Sequence, residues 1–241
     1  MKYTLLLAAA AGLAAAAPNP KLGRRRGAHS LPNLRNATFP QYSTNWAGVV
    51  QIGKGYTQVQ GTITVPRATG GSNAAASAWV GIDGDTCQSA ILQTGVSFYG
   101  DGSFDAWYEW IPDYSYSFAN FDLSEGDQIK MSVDASSKTA GVATLENLTT
   151  GQKVSHSFKN PPSTLCETNA EWIVEDFEEG GQLVPFADFG TVTFTDASAS
   201  GSSGTISPSG GTLIDIRTQQ GQVLTNCGIS GSDVTCSYTG N

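Results

Sequence analysis

The 241-residue sequence predicts an all-β fold of antiparallel strands, a sandwich or a barrel. Three observations carry that prediction. From about Tyr42 onward the chain is a series of short runs rich in Val, Ile, Thr, Phe, Tyr and Trp. Gly, Ser, Asn and Asp break those runs roughly every 8–12 residues, the spacing of strands joined by turns. No window of about 12 residues or more carries a helical apolar stripe.

Taken in order, the runs are "VQGTITVP", "SAWVGI", "SAILQTGV", "FDAWYEWIP", "QIKMSVDA", "GVATLENL", "KVSHSF", "EWIVEDF", "FADFGTVTFT" and "GTLIDI". The Gly/Ser-rich stretches "ATGGSNAAAS" and "ASASGSSGTISPSGG" read as loops, because strands of the same character resume after each. A two-residue period sorts each strand into two faces. Asp105, Trp107 and Glu109 share a face of "DAWYEW". Trp79 and Asp83 share one of "AWVGID", and Gln93 shares its side with Ile91 and Gly95. In "TNAEWIVEDFEE", Glu171, Ile173, Glu175 and Phe177 line up opposite Trp172, Val174 and Asp176. Core faces do not mix acids with tryptophan in this way. A concave binding face does, with aromatic walls to grip a ligand and carboxylates to orient it. An ionised Glu175 between apolar neighbours is costly unless it is paired or used.

The ends and the cysteines bound the setting. "MKYTLLLAAAAGLAAAAPNP" reads as a secretory signal with cleavage near Ala17, and it is too short to span a membrane. Residues 18–40 read as a basic pro-segment and 41–241 as one mature domain. The first 40 residues hold six of the 13 Lys and Arg and none of the 21 Asp and Glu. The remainder has seven bases against 21 acids, a formal −14, which disfavours nucleic acid as a partner. The basic residues, Lys21, Arg24, Arg25, Arg26 and Arg35 among them, can lie along an acidic cleft and block it until acidification. Four cysteines fit two disulfides in an oxidising compartment. Cys227–Cys236 closes a short hairpin-like stretch, which leaves Cys87–Cys166. "NLT" makes Asn147 a glycosylation acceptor on a turn, and "NAT" at Asn36 falls in the segment to be removed. A secreted monomer, with no membrane partner, is the expected state.

Composition also excludes chemistries. Of two histidines, His29 lies in the pro-segment, so the mature domain keeps only His156. A Ser-His-Asp triad would have to use it, and no Gly-x-Ser-x-Gly elbow supplies the serine. Neither HExxH nor clustered Cys/His ligands are present, so no metal is expected. The Asp-Thr/Ser-Gly of pepsin-type enzymes is missing, and no glycine loop suits a nucleotide cofactor. Carboxylate chemistry remains.

The motifs "STNWAG", "SAWVGIDGDTCQSAILQTG", "DAWYEWIPD", "ATLENLTTGQ" and "CETNAEWIVEDFE" resemble, in order and spacing, the glutamic peptidases (eqolisins), across residues 42–240. That resemblance implies a secreted, pepstatin-insensitive acid endopeptidase acting on protein and peptide substrates without a cofactor. It implies a sandwich of two curved sheets of the concanavalin A-like lectin/glucanase type, with the active site on the concave face. It also implies a Gln/Glu dyad, carried by motif onto Gln93 and Glu175. Trp46, Trp79, Asp83, Asp105, Trp107 and Glu109 match substrate-binding or supporting positions. Ile111 departs from the family's "YEWYP", where an aromatic hydroxyl stands. Glu171, four residues before Glu175 on the same face, is the internal competitor for its role. Without the resemblance, a secreted carbohydrate-binding or glycoside-hydrolysing sandwich, with Glu109 and Glu175 as its acid pair, fits the same faces.

Overall fold

A computed structural model of the chain describes residues 28–34 and 41–240. The expected signal, the Arg cluster, Arg35 and Asn36 lie outside the described residues. Among those residues there is no helix, and nineteen strands are numbered here along the chain. They are β1 (Ala28–His29), β2 (Tyr42–Ser43), β3 (Trp46–Ile52), β4 (Tyr56–Thr64), β5 (Ala75–Ile82) and β6 (Ile91–Tyr99). β7 (Phe104–Ile111), β8 (Tyr116–Ser117), β9 (Gln128–Ser137), β10 (Ala140–Asn147), β11 (Lys153–Lys159) and β12 (Asn169–Glu175) follow. The last are β13 (Glu178–Glu179), β14 (Gln182–Leu183), β15 (Thr191–Gly201), β16 (Gly204–Ile206), β17 (Thr212–Ile216), β18 (Thr225–Ser230) and β19 (Asp233–Tyr238).

Two eight-stranded sheets make a sandwich. One runs β2-β17-β3-β12-β5-β6-β7-β8, and the other β11-β10-β9-β4-β15-β19-β18 with β16 hydrogen-bonded to β15. Between named strands, pairing is antiparallel except where β17 meets β2. The expected runs fall inside these strands. Alternation explains the layering, because each strand of the first sheet sends every second side chain into the space between the sheets. Val80 and Ile82 from β5, Leu92 and Val96 from β6, and Trp172 and Val174 from β12 meet Val59, Ile63, Met131 and Val133 there. Burying each such side chain fully is worth about 1.5–3 kcal/mol. Burial of this one face holds the register of the other, since a slip of one residue would exchange the two.

β12 lies at the centre of the first sheet and is buried on both faces. Ala170, Trp172 and Val174 enter the core, while Glu171, Ile173 and Glu175 face outward. All three are nonetheless buried, and residues 28–34 run over that outer face at Glu175. β1 begins a small third sheet, β1-β13-β14, and the chain then crosses towards Asn45.

Both disulfides form, Cys87–Cys166 and Cys227–Cys236. The second staples facing residues of the β18–β19 hairpin, and the first ties the loop before β6 to the loop before β12.

Asn147 is fully buried at the end of β10, and its Nδ2 donates to Asp127 Oδ2 (2.9 Å) and Asp122 O (3.3 Å), bonds that a glycan on that nitrogen would have to replace.

Candidate active site

The register of the first sheet lays the outward side chains out in cross-strand rows. One row reads Trp46, Glu175, Ser77, Ser97, Asp105. The next reads Gly48, Ile173, Trp79, Gly95, Trp107, and the third Val50, Glu171, Gly81, Gln93, Glu109. Gln93 and Glu175 are therefore not direct neighbours. They stand two strands and two rows apart, with Trp79 between them.

Glycine makes room for that tryptophan. A Cβ at Gly95 would lie 2.5 Å from Trp79 Cβ and 2.3 Å from Ala78 O, and one at Gly81 would lie 2.9 Å from Trp79 Cζ3. These glycines let the indole lie flat along the sheet and aim its Nε1 at Glu175 Oε2, 2.8 Å away. Trp46 packs edge-on against Trp79, with ring centroids 4.9 Å apart. Together with Ile91, Ile111, Ile173 and Trp107, the two tryptophans make the apolar floor in which the carboxylates sit. Trp107 is fixed from below, its Nε1 donating to Ser97 Oγ at 3.1 Å.

Gln93 is fully buried, and its Nε2 donates to Glu109 Oε2 at 2.8 Å. That bond sets which way the amide points. Gln93 Oε1 is buried with no hydrogen-bond partner among the described residues.

The chain crossing the cleft binds these groups in sequence. Ser30 N–H donates to Glu109 Oε2 (3.2 Å) and Leu31 N–H donates to Glu175 Oε1 (3.0 Å). Adjacent peptide nitrogens are no more than ~3.6 Å apart, so the Gln93–Glu109 pair and Glu175 converge on a single residue, Ser30. Trp46 Nε1 donates to Leu31 O (3.0 Å), and Asn45 Oδ1 accepts from Leu34 N–H (3.0 Å). At the other end, His29 Nε2 pairs with Glu178 Oε2 at 3.1 Å, and Ser115 Oγ donates to Ala28 O.

Electrostatics separates the two glutamates of β12. Burial pushes Glu175 up to about 7, against the lowering effect of hydrogen bonds from Leu31, Ser30, Trp79 and Trp46. Glu171 is also fully buried, neither of its oxygens has a partner, and burial plus the nearby Asp83 and Asp85 hold it well above the usual range. Glu171 thus has no donor among the described residues, while Glu175 is gripped by donors and faces the chain in the cleft. Next to it, Asp176 is raised to about 8 by burial and by the charge of Glu175.

Asp83 does not line the cleft beside Trp79. β5 ends at Ile82, and Asp83 adopts φ 70°, which turns its side chain off the alternating pattern. Its carboxylate accepts backbone N–H groups of Cys166 (2.7 Å), Glu167 (2.8 Å), Thr168 (2.8 Å) and Asn169 (3.3 Å). It thereby fixes the entry to β12, and through it the position of Glu175. Asp105 stands in the same row as Glu175, at the β7 side, partly exposed. His156 lies on β11 in the other sheet, stacked on Tyr108 with centroids 4.0 Å apart. Burial lowers its pKa, and it takes no part in this site. A groove of about 410 Å³ lined by Thr62, Thr64, Gln128 and Thr193 belongs to that second sheet, remote from the carboxylates.

Sequence reasoning missed the two glycines as space-makers, Ser97 as the partner of Trp107, and the residues His29–Asn33 as cleft occupants. The glycines were visible as strand-interior glycines, which mark close approach. The segment carried no signal beyond its basic flank.

The model of the Peptidase A4 family matches residues 44–238. Aspergillopepsin-2 of Aspergillus niger is 54% identical over 229 residues, covering 85% of this chain and 81% of that protein. Scytalidopepsin B of Scytalidium lignicola is 51% identical over 211 residues, covering 84% and 81%. Among solved structures, scytalido-glutamic peptidase with a transition state analog inhibitor superposes with a TM-score of 0.79 at 52% identity, over 81% of this chain and 98% of that one. Aspergilloglutamic peptidase from Aspergillus niger superposes with a TM-score of 0.66 at 58% identity, over 69% and 99%. The fold, the carboxylate-lined face and these likenesses agree, and the chain belongs to the peptidase A4 family as a glutamic-type endopeptidase.

Proposed function

We propose that the chain is a secreted precursor of an acid endopeptidase in which Glu175 is the general base and Gln93 the oxyanion donor. With the segment removed and its burial relieved, Glu175 ionises at lower pH and takes a proton from a water, whose oxygen attacks the scissile carbonyl. One hydrogen of Gln93 Nε2 stays on Glu109 and the other serves the developing oxyanion, while Oε1 helps to hold the water. Glu175 then returns its proton to the leaving nitrogen, and the C–N bond breaks. The observation that carries this reading is the 3.0 Å bond from the Leu31 peptide nitrogen to Glu175 Oε1, since the carboxylate already reaches a backbone nitrogen in the cleft.

The docked segment is held as an inhibitor would be. The Ser30 carbonyl oxygen lies 2.9 Å from His29 Nδ1 rather than at Gln93, and the Gln93 amide is turned to Glu109. The dyad faces the chain without polarising its carbonyl. The described polar contacts that hold the segment are hydrogen bonds and the His29–Glu178 pair, with Ala28 packed against Ala75, Phe177 and Val184. The charge pairing expected of Lys21, Arg24, Arg25, Arg26 and Arg35 falls outside the described residues. Two disulfides suit the secreted setting.

Digestion of an unfolded protein at pH 3.5 in the presence of pepstatin tests this, using the matured enzyme beside Glu175→Gln. Cleavage by the wild type, absent in a folded variant and suppressed by the peptide His-Ser-Leu-Pro-Asn-Leu, is the expected result. Full activity of Glu175→Gln, or release of sugar with indifference to protein, would overturn it.

A further inference from the structure

A serine beside the dyad has no partner while the segment is docked. Ser77 is fully buried, and its Oγ makes no hydrogen bond among the described residues. On β5, Ala76, Ala78 and Val80 enter the core while Trp79 joins the cleft floor, so Ser77 faces the cleft. The register sets it directly across from Glu175 on β12. The docked segment is seated on either side of it. Ala28 packs with Ala75, two residues earlier on the same face, and Leu31 N–H reaches Glu175. Packing does not call for a hydroxyl here, since residues 75, 76 and 78 are all alanine. A buried hydroxyl left unpaired costs stability that alanine would keep. The covered chain gains nothing from Ser77.

We propose that Ser77 positions the base of the open enzyme: once the segment leaves, its hydroxyl turns to Glu175 and donates in place of a donor that left with the segment. The proposal rests on the reading above that Glu175 is the base. In the covered chain Glu175 Oε1 takes Leu31 N–H, Oε2 takes Trp79 Nε1, and the Ser30 side chain also donates. Leu31 and Ser30 depart together, and Trp79 stays. Directly opposed side chains start from Cβ atoms about 4.5–5.5 Å apart, and a serine hydroxyl has three staggered positions from which to reach a carboxylate across that gap. A donor favours the ionised carboxylate, which a base working in acid needs. The charged groups around Glu175 act the other way. Asp176 and Glu171 on its own segment, Asp105 and Glu109 on β7, and Glu178 on β13 are all acids, while β3, β5 and β6 bring neither carboxylate nor cation. His29, which pairs with Glu178, leaves with the segment.

Loss of one hydrogen bond to a charged carboxylate corresponds to about one pH unit in its ionisation, and so to about tenfold in the ionised fraction below the midpoint. The test follows kcat/KM of the matured enzyme on one peptide across the acid range, because the acid limb reports the base of the free enzyme. Ser77→Ala should move that limb up by about one pH unit, lower kcat/KM about tenfold at its foot, and leave the plateau within about threefold of the wild type. Ser77→Thr and Ser77→Val, alike in shape and different in the hydroxyl, decide the matter should the alanine variant not fold. The Thr enzyme should keep the wild-type limb, and the Val enzyme should shift it. A folded Ser77→Ala enzyme whose limb coincides with the wild type would overturn the proposal. So would a loss by the same factor at every pH, which is what a merely structural residue gives, or a Val limb that coincides with the Thr limb. In the uncleaved chain carrying Gln93→Ala, Ser77→Ala should leave the urea midpoint unchanged or raise it. A clear fall would mean that the hydroxyl is already bonded there, and would overturn the proposal too. Glu175→Gln, run alongside, separates the two readings. An inactive variant beside an unmoved Ser77→Ala limb refutes the role of Ser77 alone, and an active variant refutes the dyad.

Discussion

The burial of Glu175 makes its substitution a stability measurement as well as a kinetic one. In the folded, covered chain its pKa rises from 4.5 to about 7. A carboxylate raised on folding leaves stability intact below the unfolded value, costs stability as pH climbs from 4.5 towards 7, and costs no more above that. The gap corresponds to about 3 kcal/mol. Glu175→Gln removes that ionisation. It also removes the charge that helps raise Asp176, so the neighbour's effect has the same sign. The variant should match the parent at pH 4 and exceed it by about 3 kcal/mol at pH 7.5. With a urea m-value of about 2–3 kcal/mol/M, the midpoint shifts by on the order of 1 M. The assay is urea unfolding of the uncleaved chain, followed by tryptophan fluorescence across pH 4 to 8. Parent and variant both carry Gln93→Ala, which by the proposed mechanism prevents self-digestion. A difference that does not change with pH, or a variant weaker than the parent at pH 7.5, would refute the assignment of Glu175 as a carboxylate held above its ordinary pKa by burial.

Glu171→Met should stabilise the chain at pH 7.5 more than at pH 4, since it replaces a buried acid with no partner, and the same urea titration reads it. Removing Cys87–Cys166 by double alanine substitution should cost more than removing Cys227–Cys236. Their separations of 79 and 9 residues correspond to about 4.5 and about 2.6 kcal/mol of loop entropy, and unfolding midpoints compare them. Asp83→Ala should cost about 3–5 kcal/mol, because four backbone N–H groups before β12 lose their acceptor, and it should lower the melting temperature together with activity. Asn147→Gln should destabilise by about 1–3 kcal/mol without changing any glycan mass, as intact-protein mass spectrometry will show.

Much of the architecture was legible because alternation carries it. The strand around Glu175 has two faces of different composition, and the structure gives each a different neighbour, core for Trp172 and cleft for Glu175. The pairing expected from the short Cys227–Cys236 stretch is the one the structure shows, although spacing alone does not fix it. The failures have a shared cause, which is that local pattern does not reveal who holds a polar group. Asp83 continues the face of Trp79 on paper, but a positive φ one residue past the strand turns it to the backbone before β12. Glu171 and Glu175 share a face by period, and only tertiary donors distinguish them. Gln93 and Glu175 lie two rows apart, a separation that no strand pattern discloses. Residues 29–33 carry little sequence signal but a histidine, and their place in the cleft comes from backbone hydrogen bonds together with the side chains of His29 and Asn33.

The most direct test of the account is a double-mutant cycle at the dyad. kcat/KM for one peptide at acid pH would be measured for the matured wild type, Gln93→Ala, Glu175→Gln and the double variant, each shown to be folded. If the two residues act as one unit, each single change costs at least ~10²-fold and the double is no worse than the worse single. Losses that multiply, or substantial activity in either single variant, would contradict it.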